Sequence, residues 1–139
     1  MKNIDKSFQK INDWVASKGF DIVKKSNVGD CVDWNEKIIV VNSKQSLENQ
    51  LYSLLHECGH VMIGRNYKQF KKYYPMYAYS EDITERTKKT QKYKVSVIAE
   101  EIEAWKRGLS LAKRLNIEVN KDNFDKIMAK CVMTYVKWA

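Results

Sequence analysis

A chain of 139 residues with one proline and five glycines holds a single core and leaves no length for a linker or a second domain of ordinary size. With 44% hydrophobic and 12% aromatic residues it can pack that core, which excludes wholesale disorder. The formal net charge of +8 comes mostly from scattered lysines, which reads as a solvated basic face rather than a dedicated nucleic-acid groove.

Cys31, Cys58 and Cys131 lie too far apart for a disulfide framework or a cysteine-rich zinc knuckle, so free thiols in a reducing compartment are expected. The opening stretch has no long apolar segment, and no run approaches the roughly 18 apolar residues of a membrane span. The expectation is a cytoplasmic protein without membrane contact, with one domain over residues 1–139. Oligomeric state is not legible.

In chain order, Ile4, Phe8, Ile11 and Val15 recur at helical spacing and Gly19 follows as a stop, which predicts a first amphipathic helix. Phe20–Val23, Cys31–Trp34 and Ile38–Val41 read as three short strands, separated by turn residues at 27–30 and at Asn35 and Glu36. Ser46 is a plausible N-cap for a second helix running to about Gly64. The stretch from Arg65 to Tyr93, with Pro75 and a tyrosine cluster, predicts irregular structure with at most one short helix. A third helix is expected from about Tyr93 to Asn116. A fourth, from about Asn123, presents Phe124, Ile127, Met128, Cys131 and Tyr135 on one face. Helix, small sheet, then helices make an α+β domain.

The chemistry sits in the second helix, at His56-Glu57-Cys58-Gly59-His60. Residues four apart on a helix share a face one turn above each other, so two imidazoles there can reach one zinc ion at about 2.0–2.1 Å. Glu57, beside the first histidine, can take a proton from an activated water and later deliver it to a leaving amine. Cys58 lies on another face and reads as a small core residue.

A catalytic zinc needs a third protein ligand and one open position. The chain has only two histidines, so that ligand is a carboxylate or a cysteine. Three downstream glutamates are available. Val97, Ile98, Ala104, Trp105, Gly108, Ala112 and Leu115 form an apolar stripe at about 100° per residue. Glu101 falls in its middle, Glu100 at its edge, and Glu103 on the opposite face. A carboxylate aimed into a core is costly unless it is paired or bound to a metal, which favours Glu101. Tyr73, Tyr74, Tyr77 and Tyr79 include possible oxyanion donors, though most read as packing aromatics. Trp14, Trp34 and Trp138 also read as core or packing residues, and Lys88, Lys89, Lys92 and Lys94 as a solvated face.

His56-Glu-Cys-Gly-His60 followed by Glu101-Ile-Glu-Ala104 resembles the gluzincin metallopeptidases. The alanine three residues after the glutamate is similar to ImmA/IrrE-type metallopeptidases and to the metallopeptidase domain of ArdC-type antirestriction proteins. The resemblance implies a zincin-like fold, a zinc ion held by His56, His60 and Glu101, and Glu57 as catalytic acid/base. It also implies a protein or peptide substrate, paired with an edge strand at Cys31–Trp34, and a setting in phages, mobile elements or stress responses. Two departures stand out. Trp105 occupies the position where relatives place an Asp or Asn that can hydrogen-bond a ligand histidine, and the interval from His60 to Glu101 is long. Two other readings stay open: a catalytically weak zincin-fold protein that binds a host defence or regulatory partner, and a basic nucleic-acid-associated protein with structural zinc.

Overall fold

In the computed structural model, residues 3–139 are described. The first helix, α1 (Ile4–Ser17), buries Ile11 and Val15 and turns its lysines outward. It ends where Gly19 takes φ +83°, a left-handed backbone that glycine adopts without steric cost. The Phe20 N–H then bonds back to the Val15 carbonyl at 3.1 Å and leads the chain into the sheet.

Strands β1 (Asp21–Lys25), β2 (Cys31–Asp33) and β3 (Ile38–Asn42) form a mixed sheet in the order β1-β3-β2. β3 is the central strand, parallel to β1 (Val23 opposite Val40) and antiparallel to β2 (Val32 opposite Ile39). Its Ile39, Val40 and Val41 are all buried, as expected of a strand covered on both faces. β2 is therefore an edge strand.

Helix α2 (Leu47–Arg65) begins at Ser46, whose hydroxyl accepts the Asn49 N–H at 3.2 Å. Every residue from Gln50 to Val61 is buried, so this helix is enclosed on all sides. A short α3 (Tyr67–Lys71) follows, then irregular chain and a 3-10 turn (Thr87–Lys89). Helix α4 (Gln91–Arg114) is capped by Thr90, and α5 (Lys121–Trp138) by Asn120. Both start about two residues earlier than periodicity alone indicates, because caps rather than apolar residues set helix ends. The architecture is the expected α+β arrangement, and α3 is the one short helix allowed for in the otherwise irregular stretch from Arg65 to Tyr93.

The packing of α4 on α2 positions the site. A Cβ on Gly59 would run into the carbonyl oxygen of Ala104, and one on Gly108 would meet the Leu55 carbonyl oxygen at 2.5 Å. The two backbones touch, and only small residues allow this. Phe124 anchors α5 against Trp105 (ring centroids 5.3 Å apart) and Tyr52 (5.5 Å). The Tyr52 hydroxyl also accepts the Asn120 N–H at 2.8 Å, fixing where α5 starts. Trp14 and Trp34 are partly buried. Trp138 packs edge-on against Tyr93 but stays 50% exposed, so it is no core residue.

Candidate metal centre

One helical turn of α2 brings His56 and His60 together, with ring centroids 4.6 Å apart and their Nε2 atoms 3.1 Å apart. From α4, Glu101 meets both: its two carboxylate oxygens lie 3.3 Å from His56 Nε2 and 2.6 Å from His60 Nε2. All three side chains are buried. The close approach of α4 explains this reach. Ala104 lies one turn after Glu101, and its contact with Gly59 brings that face of α4 within a short side chain's length of the histidines.

Glu57 is also buried, and one of its carboxylate oxygens lies within 4.8 Å of a ring nitrogen of each histidine. Its near contact is to His56 Nδ1, at 3.5 Å, on the ring edge away from the paired Nε2 atoms. Glu101 is thus the carboxylate that faces both Nε2 atoms, and Glu57 stands to one side. This donor set suits zinc. Two imidazole nitrogens and a carboxylate converge: separations of 3.1 and 3.3 Å lie near the edge of a tetrahedron with bonds of about 2.0–2.1 Å, and the third, 2.6 Å, is a hydrogen-bond distance between His60 and Glu101. Two nitrogen lone pairs beside a carboxylate repel one another unless a proton or a cation lies between them.

The electrostatics support this picture. Burial opposes charge on Glu101, but hydrogen bonds from His56 and His60 outweigh it and hold its carboxyl at about 2. Burial likewise works against a charged His60, yet its bonds to Glu100 and Glu101 prevail, and its pKa rises well above 6.5. For Glu57 burial dominates and pushes the carboxyl up, the direction that suits a group exchanging protons near neutrality.

Periodicity put Glu100 at the edge of the apolar stripe, but in the fold it is only 3% exposed. Its carboxylate accepts the Nδ1–H of His60 at 2.7 Å, which turns Nε2 toward Glu101. The hydrogen bond that Trp105 cannot provide thus comes from Glu100. Trp105 instead stacks on His56, with ring centroids 4.3 Å apart and planes 8° apart. Its indole N–H has no hydrogen-bond partner among the described residues. Glu103 lies on the far side of α4 and pairs with Arg107 at 3.1 Å. Cys58 is fully buried in the core.

A cavity of about 90 Å³ opens over Glu57, His60 and Glu101, ample for one water molecule. Its other walls include β2, Tyr79 and Tyr135. Tyr135 belongs to α5, a helix the motif gives no reason to place at the site. The sequence signal was its position as the last residue of that helix's inward face. Burial, and then the charge of Glu101, raise its pKa, so the phenol keeps its proton.

Among the described residues, no helix is long and apolar enough to cross a membrane. The family model of the IrrE N-terminal-like domain (peptidase family M78) matches residues 17–93, more than half of the chain. No curated protein and no solved structure matches. The matched span holds the sheet, α2 and the histidine pair, and stops short of Glu100, Glu101 and Tyr135. By its sequence match and by the buried histidine pair, this chain belongs to the ImmA/IrrE family of zinc-dependent peptidases.

Proposed function

We propose that this protein is a zinc peptidase acting on an extended segment of a protein or peptide, with His56, His60 and Glu101 as zinc ligands and Glu57 as the proton carrier. The observation that carries this reading is the convergence of two Nε2 atoms and the Glu101 carboxylate within 3.3 Å, with a second buried carboxylate beside them. Zinc bound there would supply a Lewis acid and a water of lowered pKa. Glu57 takes the proton of the attacking water as the new C–O bond forms and the carbonyl oxygen gains charge, then hands that proton to the nitrogen of the leaving amine as the peptide C–N bond breaks and the carbonyl re-forms. Glu100 fixes the ring of His60. The Tyr135 phenol, protonated and in the same cavity, donates to the oxygen that gains charge.

The edge of β2 borders both this cavity and a wider hollow beside it. Its outer backbone groups offer a template on which an extended chain adds as a further strand.

The test compares zinc content and cleavage of a defined peptide mixture for the parent, Glu101→Ala and Glu57→Gln. About one zinc per chain is expected in the parent and in Glu57→Gln, with little or none in Glu101→Ala, and cleavage by the parent alone. A parent that takes up no zinc even when it is supplied would sink the proposal. Zinc without cleavage would leave a binding protein on a peptidase scaffold.

A further inference from the structure

Beside the metal centre lies a hollow of about 580 Å³, and its walls are dominated by aromatic side chains. It shares Cys31, Val32, Trp34 and Tyr79 with the small cavity over Glu57, His60 and Glu101. We propose that this hollow is a specificity subsite that takes a large aromatic side chain of the substrate, next to the bond presented at the metal centre. The proposal rests on the peptidase reading above.

Continuity is the first argument. A peptide lying along β2 spans cavity and hollow, and alternate side chains of an extended chain point the same way, so one of them enters the hollow.

Shape is the second. Tyr67 and Tyr77 stack with centroids 5.4 Å apart, and Tyr79 adjoins Tyr77 at 5.6 Å. Trp34 forms the facing wall, held edge-on to Phe20 at 5.4 Å. Gly64 is the floor. A Cβ there would collide with the Trp34 ring and approach the Tyr77 hydroxyl to 2.7 Å, so its missing side chain is what lets these two rings close on the helix. Aromatic walls favour another ring, through edge-to-face and offset contacts.

Charge is the third, and it distinguishes a ring from a cation. A cage of aromatic faces also suits an ammonium group. Here Lys37 already sits over the Trp34 ring at 5.4 Å. The one carboxylate in the lining, Asp33, already accepts the backbone N–H groups of Asn35 and Glu36 at 3.0 Å each. The net charge of +8 further opposes a cationic side chain.

The experiment digests synthetic peptides that differ at single positions (Phe, Trp, Leu, Lys, Asp or Gly) with the zinc-loaded full chain and reads the products by mass spectrometry. Cleavage beside Phe or Trp is expected to exceed that beside Gly or Asp by roughly tenfold or more. The preference should collapse in Tyr67→Ala and persist in Tyr67→Phe. Tyr67 is 38% exposed, so truncation there leaves the fold intact, which circular dichroism and zinc content check. Cleavage without preference, preference for Lys, or a preference unchanged in Tyr67→Ala would overturn the subsite. If the parent cleaves nothing, the peptidase reading fails, and binding decides the subsite separately. A fluorescent Phe peptide should then bind Glu57→Gln about tenfold more tightly than Glu57→Gln combined with Tyr67→Ala. Equal binding, or none, would reject it.

Discussion

The carboxylate of Glu100 accepts a hydrogen bond from Nδ1 of His60 at 2.7 Å. The next residue, Glu101, meets the opposite edge of the same ring at 2.6 Å. Two consecutive glutamates of one helix therefore grip one imidazole from both sides.

This pairing makes Glu100 a positioning residue. Glu100→Ala should weaken zinc binding about 10–100-fold, the usual effect of removing a carboxylate behind a ligand histidine. Glu100→Gln should restore part of it, because the amide oxygen can still accept the Nδ1–H. Competition against a zinc chelator, with circular dichroism as a fold control, measures both. Unchanged affinity in Glu100→Ala would show that the ring is held by packing alone.

Zinc uptake should release a proton from His60. In the metal-free protein its bonds to Glu100 and Glu101 raise its pKa well above 6.5, so they favour a proton on the ring that metal binding must displace. Acid favours the protonated ring and weakens binding, and affinity climbs as pH rises, by about tenfold per unit if one proton is released. For an ordinary histidine the climb ends near pH 6.5. Here it should continue beyond neutrality. Calorimetry in buffers of differing ionisation enthalpy counts the protons, and a plateau from about pH 6.5 would contradict this account.

Gly59 should tolerate no side chain. A Cβ there meets the backbone of Ala104, which cannot give way as a flexible side chain would. Gly59→Val should destabilise the fold by about 1–3 kcal/mol or more, as overpacking does. Any folded fraction should bind zinc poorly, since Glu101 rides on the displaced helix. Thermal unfolding and zinc content report the two effects separately.

Tyr135→Phe should keep zinc and fold while lowering kcat about 10²–10³-fold, if its hydroxyl stabilises the developing oxyanion. KM should change far less. A variant with full kcat would pass this role to Tyr79, the other phenol lining the cavity.

Local spacing made much of this protein legible. The four-residue interval between His56 and His60 places both rings on one face wherever the helix lies, because backbone geometry alone fixes it. The same holds for the Ser46 cap, for the Gly19 stop, and for the phase of Glu101 within the apolar stripe of α4. These features depend on neighbours a few residues away. The burial of Glu100, the stacking of Trp105 on His56 and the arrival of Tyr135 at the cavity depend on how helices meet. The Gly59–Ala104 contact joins residues that stand far apart in the chain, and it decides which side chains of α4 reach the histidines. A helical projection treats the apolar stripe as the whole buried face, whereas a backbone-to-backbone approach buries the residues beside it too. The tyrosine-rich stretch has no periodicity to read, and only its packing against Trp34 and Gly64 turns it into a walled hollow.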